Sequence, residues 1–305
     1  MVSDPSVAVE SDLNSLLGAS RRPGTDTRGR LPRTLSPARW REYRRVLSIA
    51  LAQGYAVVSL EAWLADATLA VGKPVLIVRH DVDQYPASAL RMAAIEAELG
   101  IRSTWYFRWR TAHPAVVEGI RMAGHEVGLH YETLTRELLR RGLRAENAPG
   151  LIPQARLLLR EELAAFSALH GPARSTCPHG DTRMTGVHNG VLLQGEDLSA
   201  YGVRWAANTA FGRLPLAVWL TDRSSAEGRW KDGLDPIDLL VERRSPILAV
   251  VHPNNWVSGA ALWCDRVLPG RLGTADSDEP PLGPAARARM AAQLGALEGD
   301  KSVTS

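Results

Sequence analysis

Val75-Leu76-Ile77-Val78-Arg79-His80-Asp81-Val82-Asp83 decides how this chain is read. Its four leading apolar residues are too short a run for a helix and read as a buried strand. An arginine, a histidine and two carboxylates follow at once. Two carboxylates this close are costly unless a cation or a shared proton relieves them. In α/β proteins the carboxyl ends of strands are where ligands and catalytic groups collect. The plainer reading of Asp81 and Asp83 is a turn and helix-cap pair ahead of Pro86, because Asp caps helices well. That reading leaves the strand and the adjacent histidine unexplained.

Three further clusters have the same character. They are Gly124-His125-Glu126-Val127-Gly128-Leu129-His130-Tyr131-Glu132, Cys177-Pro178-His179-Gly180-Asp181 and Val250-Val251-His252-Pro253. Oxygen and nitrogen donors at several strand ends point to a divalent metal with an acid/base pair.

Strand and helix patterns alternate around these clusters. Helices are expected over 39–53, 61–69, 87–99, 114–123 and 153–170, with Gly54, Gly100 and Gly124 as stops. Strands are expected over 56–60, 75–80, 103–107, 126–129, 174–177, 203–206, 217–220 and 247–251. Such alternation argues for parallel strands joined by crossover helices. The fold class is therefore α/β, a barrel of about seven parallel strands in a single domain spanning 36–275. Residues 1–35, rich in Ser, Arg, Gly and Pro, read as a flexible tail. Residues 276–305 read as a second tail with one short helix, Ala285 to Leu297.

Composition bounds the partners. The chain has 305 residues, 45% of them hydrophobic, enough for a real core. Lys and Arg number 36 against 33 Asp and Glu, a formal charge of only +3. Arg136, Arg140, Arg141 and Arg144 read as a solvated helix face, and no nucleic-acid motif accompanies them. Two cysteines, Cys177 and Cys264, make no disulfide framework and suit a reducing compartment. Cys177 reads as a buried structural thiol. Met1 to Ala19 lacks a basic leader and carries Asp4, Glu10 and Asp12, unlike a signal peptide. No apolar run has the length of a membrane span. A cytoplasmic protein acting on a small-molecule or oligosaccharide substrate is the expectation. Nothing in the pattern specifies an oligomer.

In their order, these motifs resemble the polysaccharide deacetylase family, and within it the His-Asp-Val-Asp branch. The matching stretches are Arg79 to Asp83, Met92 to Phe107, Gly124 to Glu132, His179-Gly180, Leu220-Thr221-Asp222, Gly228-Arg229-Trp230 and His252-Pro253. They spread over about residues 38–262. The resemblance implies a distorted (β/α) barrel and metal-dependent removal of an N-acetyl group from an amino sugar, glycan intermediate or sugar-bearing natural product. It implies Asp81 as general base, Asp83 and His130 as metal ligands and His252 as general acid. The family's next ligand, four residues after His130, falls on Leu134, which cannot bind metal. His179 is expected to supply the missing imidazole, with Glu132 as the fallback. One carboxylate and two imidazoles suit Zn, with Co or Ni as the other ions such donors take.

Around that set, Arg79 is expected to orient Asp81 or touch substrate, and Asp222 to bind or orient. Glu132, if not a ligand, is a supporting carboxylate. Trp230 and Trp256 follow site motifs and are the nominated sugar-stacking surfaces, with core packing as the plainer reading of each. His80 faces away from Asp81 if the strand persists, and reads as structural. His125 is either a helix-end group or a site group. Two other functions fit the pattern: a different metal-dependent amide or ester hydrolase on this scaffold, and a non-catalytic carbohydrate-binding protein.

Overall fold

A computed structural model describes residues 37–261, except 67, 69–70, 182, 209–215 and 223–229, and residues 279–293, except 290–291. The expected tail 1–35, Cys264, Gly228-Arg229 and the end of the expected helix Ala285 to Leu297 lie outside the described residues.

Strand β2 (Val75–Val82) is the axis of the fold, and all eight of its residues are buried. Burial on both faces explains why the apolar run shows no alternation of polar residues at its start. Strands β1 (Ala56–Val58) and β3 (Thr104–Phe107) pair in turn with its early and late residues, Ala56 opposite Val75 and Thr104 opposite Arg79. On its other side β8 (Ile247–Val251) runs parallel, with Leu76 opposite Ile247 and His80 opposite Val251. The sheet continues through β4 (Glu126–Tyr131), β5 (Ser175–Pro178) and β6 (Trp205–Ala206) on one flank and β7 (Val218–Thr221) on the other. The order is β6-β5-β4-β3-β2-β8-β7, with β1 branching from β2, and every pairing is parallel. This is a curled, distorted α/β barrel. Among the described residues its outer strands, β6 and β7, do not pair with each other.

The crossovers are α1 (Trp40–Ala52), α2 (Leu60–Ala65), α3 (Ala87–Glu98), α4 (Pro114–Met122), α5 (Thr133–Arg140), α6 (Ala148–His170) and α7 (Pro236–Val241). Helix α2 starts early because the Ser59 hydroxyl accepts the Ala62 N–H, a cap that also ends β1 at Val58. Helix α5 is absent from the sequence expectation, and α6 begins five residues before the proline at which it was placed. Arg136 departs from its expected solvated face. It is buried and paired with Glu162 on α6. None of the described helices is long and apolar enough to cross a membrane.

Alternation sorts each strand between two cores. Leu76, Val78 and Val82 of β2, Trp105 and Phe107 of β3, and Val127, Leu129 and Tyr131 of β4 face the helices. Val75, Ile77, Tyr106, Cys177, Leu248 and Val250 fill the barrel interior. Gly128 sits where β4 crowds β5. A Cβ there would lie 2.2 Å from the Ser175 carbonyl oxygen and 2.8 Å from the Tyr106 ring. The interior faces of β2 and β4 then end, at the carboxyl rim, on Arg79, Asp81 and His130.

Candidate active site

The rim of the barrel opens into a cleft of about 590 Å3 whose lining includes Arg79, Asp81, Asp83, His130, His179 and His252. Asp81 is the second-last residue of β2 and points inward, two residues above Arg79 on the same face. That spacing lets Arg79 grip it with two parallel hydrogen bonds, Nε to Oδ1 at 2.8 Å and Nη2 to Oδ2 at 2.6 Å. Burial alone would raise the Asp81 carboxyl. The Arg79 guanidinium and its hydrogen bonds, helped by His130, hold it well below the usual carboxylate range. Arg79 also donates to Asn208 Oδ1 at 3.1 Å.

Asp83 lies one residue past the strand. Its Oδ1 is 3.5 Å from His130 Nε2 and 3.6 Å from His179 Nε2. That oxygen is buried and accepts no hydrogen bond. Each imidazole is fixed from behind. His130 donates from Nδ1 to the Cys177 carbonyl oxygen at 3.0 Å, and His179 Nδ1 faces the Glu132 carboxylate at 3.1 Å. Both Nε2 atoms therefore present lone pairs to Asp83. Burial keeps His130 neutral, pushing it down to about 4 against the pull of Asp81 and Asp83.

Three facing donors with no hydrogen between them repel one another unless a cation joins them. The two separations from Asp83 Oδ1, 3.5 and 3.6 Å, approach the ~3.4 Å edge of a tetrahedron of ligands ~2.0–2.1 Å from one ion, and all three donor atoms lie within 4.8 Å of one another. Among the described residues two other donor groups lie close together, Asp81-His130-Cys177 and Glu132-His179-Asp181. Arg79 contacts both Asp81 and Cys177 in the first. Arg108 holds Glu132 and Arg183 holds Asp181 in the second. Only the Asp83-His130-His179 group has no arginine or lysine paired to it among the described residues. It fits a divalent ion.

His252 follows β8 and closes the other side. Its Nδ1 donates to Asp222 Oδ1 at 2.7 Å, and its Nε2 lies 3.9 Å from Asp83 Oδ2. Burial would lower the imidazole, but the Asp222 carboxylate and its hydrogen bond, with Asp83 and Asp81 adding to them, raise it to about 9. Asp222 in turn accepts the His252 backbone N–H and the Trp256 indole N–H.

Several expectations change. Trp256 is 0% exposed and Trp230 7%, so neither can stack on a sugar. Both pack inside, edge to face at 5.9 Å, the arrangement aromatic pairs favour. Asp222, also 0% exposed, orients His252 and does not touch substrate. Glu132 is shut in between Arg108 and His179, which makes it a support for His179 rather than a substrate contact. Arg79 is occupied by Asp81 although it borders the cleft. Leu134, the residue at the expected ligand position, is turned into the helix-side core.

His80 and His125 lie behind the cleft and meet at Glu96. His80 bonds Glu96 at 2.6 Å and stacks on Trp105, and His125 Nδ1 accepts the Ser103 N–H. Sequence reasoning missed Arg108, Arg110, Trp219 and Lys231, all of which border the cleft. Arg108 and Arg110 directly follow β3, and that position at a strand's carboxyl end was the available signal. Trp219 is 47% exposed and, among the described residues, is the indole that borders the cleft.

No family model matches the chain, and no curated protein matches it. Solved structures similar to it include members of carbohydrate esterase family 4. One is the enzyme from Streptomyces lividans in complex with acetate, with 16% identity, coverage of 68% of this chain and 93% of that one, and a TM-score of 0.35. A second is a mutant pseudoenzyme of that family with restored enzymatic activity, at 13% identity, 63% and 60% coverage and a TM-score of 0.38. The wild-type pseudoenzyme from Bacillus anthracis has 13% identity, 63% and 58% coverage and a TM-score of 0.35.

Proposed function

We propose that the protein is a metal-dependent hydrolase that removes an N-acetyl group from an amino sugar or sugar-bearing substrate. The observation that carries this reading is the convergence of three metal donors between a carboxylate and a cationic imidazole. Asp83, His130 and His179 would hold a divalent ion, Zn foremost and Co or Ni otherwise. Bound there, the ion would polarise the acetamide carbonyl and acidify the attacking water. Asp81, kept ionised by Arg79, accepts the proton of that water. A carboxylate held so far down is a weak base, so it suits only a water that has been made acidic. His252, charged up to about pH 9 and steered by Asp222, donates from Nε2 to the leaving amine. The amine needs that proton because an amide nitrogen is a poor leaving group. Resemblance of the ordered sequence motifs to polysaccharide deacetylases supports the acetamide as the bond cleaved.

The test pairs metal content with product. Freshly purified protein should carry about one divalent ion per chain, and His179→Ala should lose it. Loaded wild type should release acetate from N-acetylglucosamine or its oligomers. Equal metal in both proteins sinks the ligand set. Metal binding without acetate release across a panel of N-acetylated sugars sinks the reaction.

A further inference from the structure

Five arginine and lysine side chains border the cleft, and three have carboxylate partners: Arg79 with Asp81, Arg108 with Glu132 and Arg183 with Asp181. Arg110 and Lys231 have neither an ion pair nor a hydrogen bond among the described residues. The two differ physically. Lys231 is exposed, so its ammonium is satisfied by water. Arg110 is half-buried, and its Nε is closed off from water with no acceptor. Arg39, Arg121, Arg136 and Arg160 also have a buried guanidinium nitrogen without an acceptor. Each of them is nevertheless held elsewhere on the same group, by Glu42, the Gly171 carbonyl, Glu162 and the Tyr201 ring respectively.

A guanidinium cannot shed its charge when it is desolvated, so a half-buried one without a partner is costly. A ligand that brings two acceptor oxygens removes the cost and gains a bidentate contact. Arg110 sits in the turn Trp109–Thr111 after β3, the strand beside β2, and so borders the rim that carries Asp81 and Asp83. Lys231 follows β7, on the far side of β8. The two cations thus flank the β2–β8 pair that bears the reacting groups.

We propose that the sugar substrate carries an anionic substituent, a phosphoryl or carboxylate group, and that Arg110 receives it while Lys231 adds a solvent-screened attraction. This rests on the proposed function only in taking the ligand to be an N-acetylated sugar. A neutral N-acetyl sugar offers Arg110 hydroxyl and carbonyl oxygens alone, which make weaker contacts than an ionised acceptor.

Calorimetric titration of the full-length protein with three probes tests this. The probes are N-acetylglucosamine, N-acetylglucosamine 1-phosphate and N-acetylglucosaminuronic acid. At least one charged sugar should bind about tenfold or more tightly than the neutral one, and which of them does so separates phosphoryl from carboxylate recognition. In Arg110→Gln the gap should shrink to about threefold or less with the melting temperature retained. Lys231→Gln should keep the gap and flatten its dependence on salt. Equal binding of all three sugars, no binding of either charged one at millimolar concentration, or a gap that survives Arg110→Gln overturns the proposal. A gap that behaves as expected without acetate release counts against the hydrolase reading alone. Acetate release from neutral sugars without any gap counts against this proposal alone.

Discussion

The indole N–H of Trp256 donates to Asp222 Oδ2 at 2.7 Å, while Asp222 Oδ1 holds His252 Nδ1 at the same distance. The tryptophan is itself wedged against Tyr43, with ring centroids 5.3 Å apart, and under the Arg39 guanidinium. A fully buried side chain, acting through Asp222, therefore sets the direction of the imidazole that faces the cleft. Trp256→Phe keeps the packing and deletes the donor. It should lower kcat roughly tenfold, the effect of removing an outer hydrogen-bond partner, and leave KM within about twofold. A change in KM without one in kcat would place Trp256 on the substrate side after all.

In the proposed reaction the same pair would set the alkaline limb. His252 has its pKa raised to about 9, so its proton, and with it the acid, is present below that pH and lost above it. Asp222 is the principal source of the rise. A bound cation would offset the smaller contributions of Asp83 and Asp81 but not that of Asp222, which faces the other ring nitrogen. In Asp222→Asn the descending limb of kcat against pH should move acidward by one unit or more. An unmoved limb would remove His252 from the role of acid.

How much of this was legible beforehand depends on what each residue's signal was. The pleat of β2 was enough to put His80 on the face opposite Asp81, because successive side chains of a strand alternate whatever buries them. The aspartate following β2 and the histidines following β5 and β8 were marked by their place at strand ends. Tryptophans carry no such mark. Trp219, Trp230 and Trp256 all neighbour site motifs, and only the turn of the chain decides that the first is exposed and the others enclosed. Arg136 was misplaced for a similar reason, since an arginine's charge says nothing of whether Glu162, 26 residues on, waits opposite it. The substitution at Leu134 was legible as a missing ligand. That His179 reaches the same point required the β4–β5 pairing, which sets His130 beside Cys177 in register.

Glu132 gives that pairing a functional consequence. Its carboxylate lies 3.1 Å from His179 Nδ1 and 2.7 Å from Arg108 Nη2, and these partners hold its carboxyl below the usual range against the effect of burial. It fixes the tautomer that leaves His179 Nε2 free for an ion. Glu132→Gln, which keeps shape and removes charge, should weaken zinc affinity by about tenfold to a hundredfold without loss of fold. Competition with a chromogenic chelator measures this. Unchanged affinity would mean that His179 is oriented by its loop alone.

The far end of the barrel predicts a pH dependence of stability independent of the cleft. Glu61, on α2, accepts the Ser175 hydroxyl at 2.9 Å and lies beside Glu126, which caps the Glu61 N–H and takes the Thr104 hydroxyl. Burial first, and the Glu126 carboxylate second, raise Glu61 to about 7, against a lesser opposition from Ser175, Arg174 and Arg121. The unfolded carboxyl titrates near 4.5. Between these values the folded state binds the extra proton, so stability falls as pH rises from about 4.5 to 7 and stays reduced above. Glu61→Gln removes the ionisation and keeps an oxygen for Ser175. The variant should match wild type near pH 5 and exceed it at pH 8 by about 1–3 kcal/mol, read from urea unfolding at the two pH values. An equal stability difference at both would mean that Glu61 stays ionised in the fold and that the two carboxylates are separated by water.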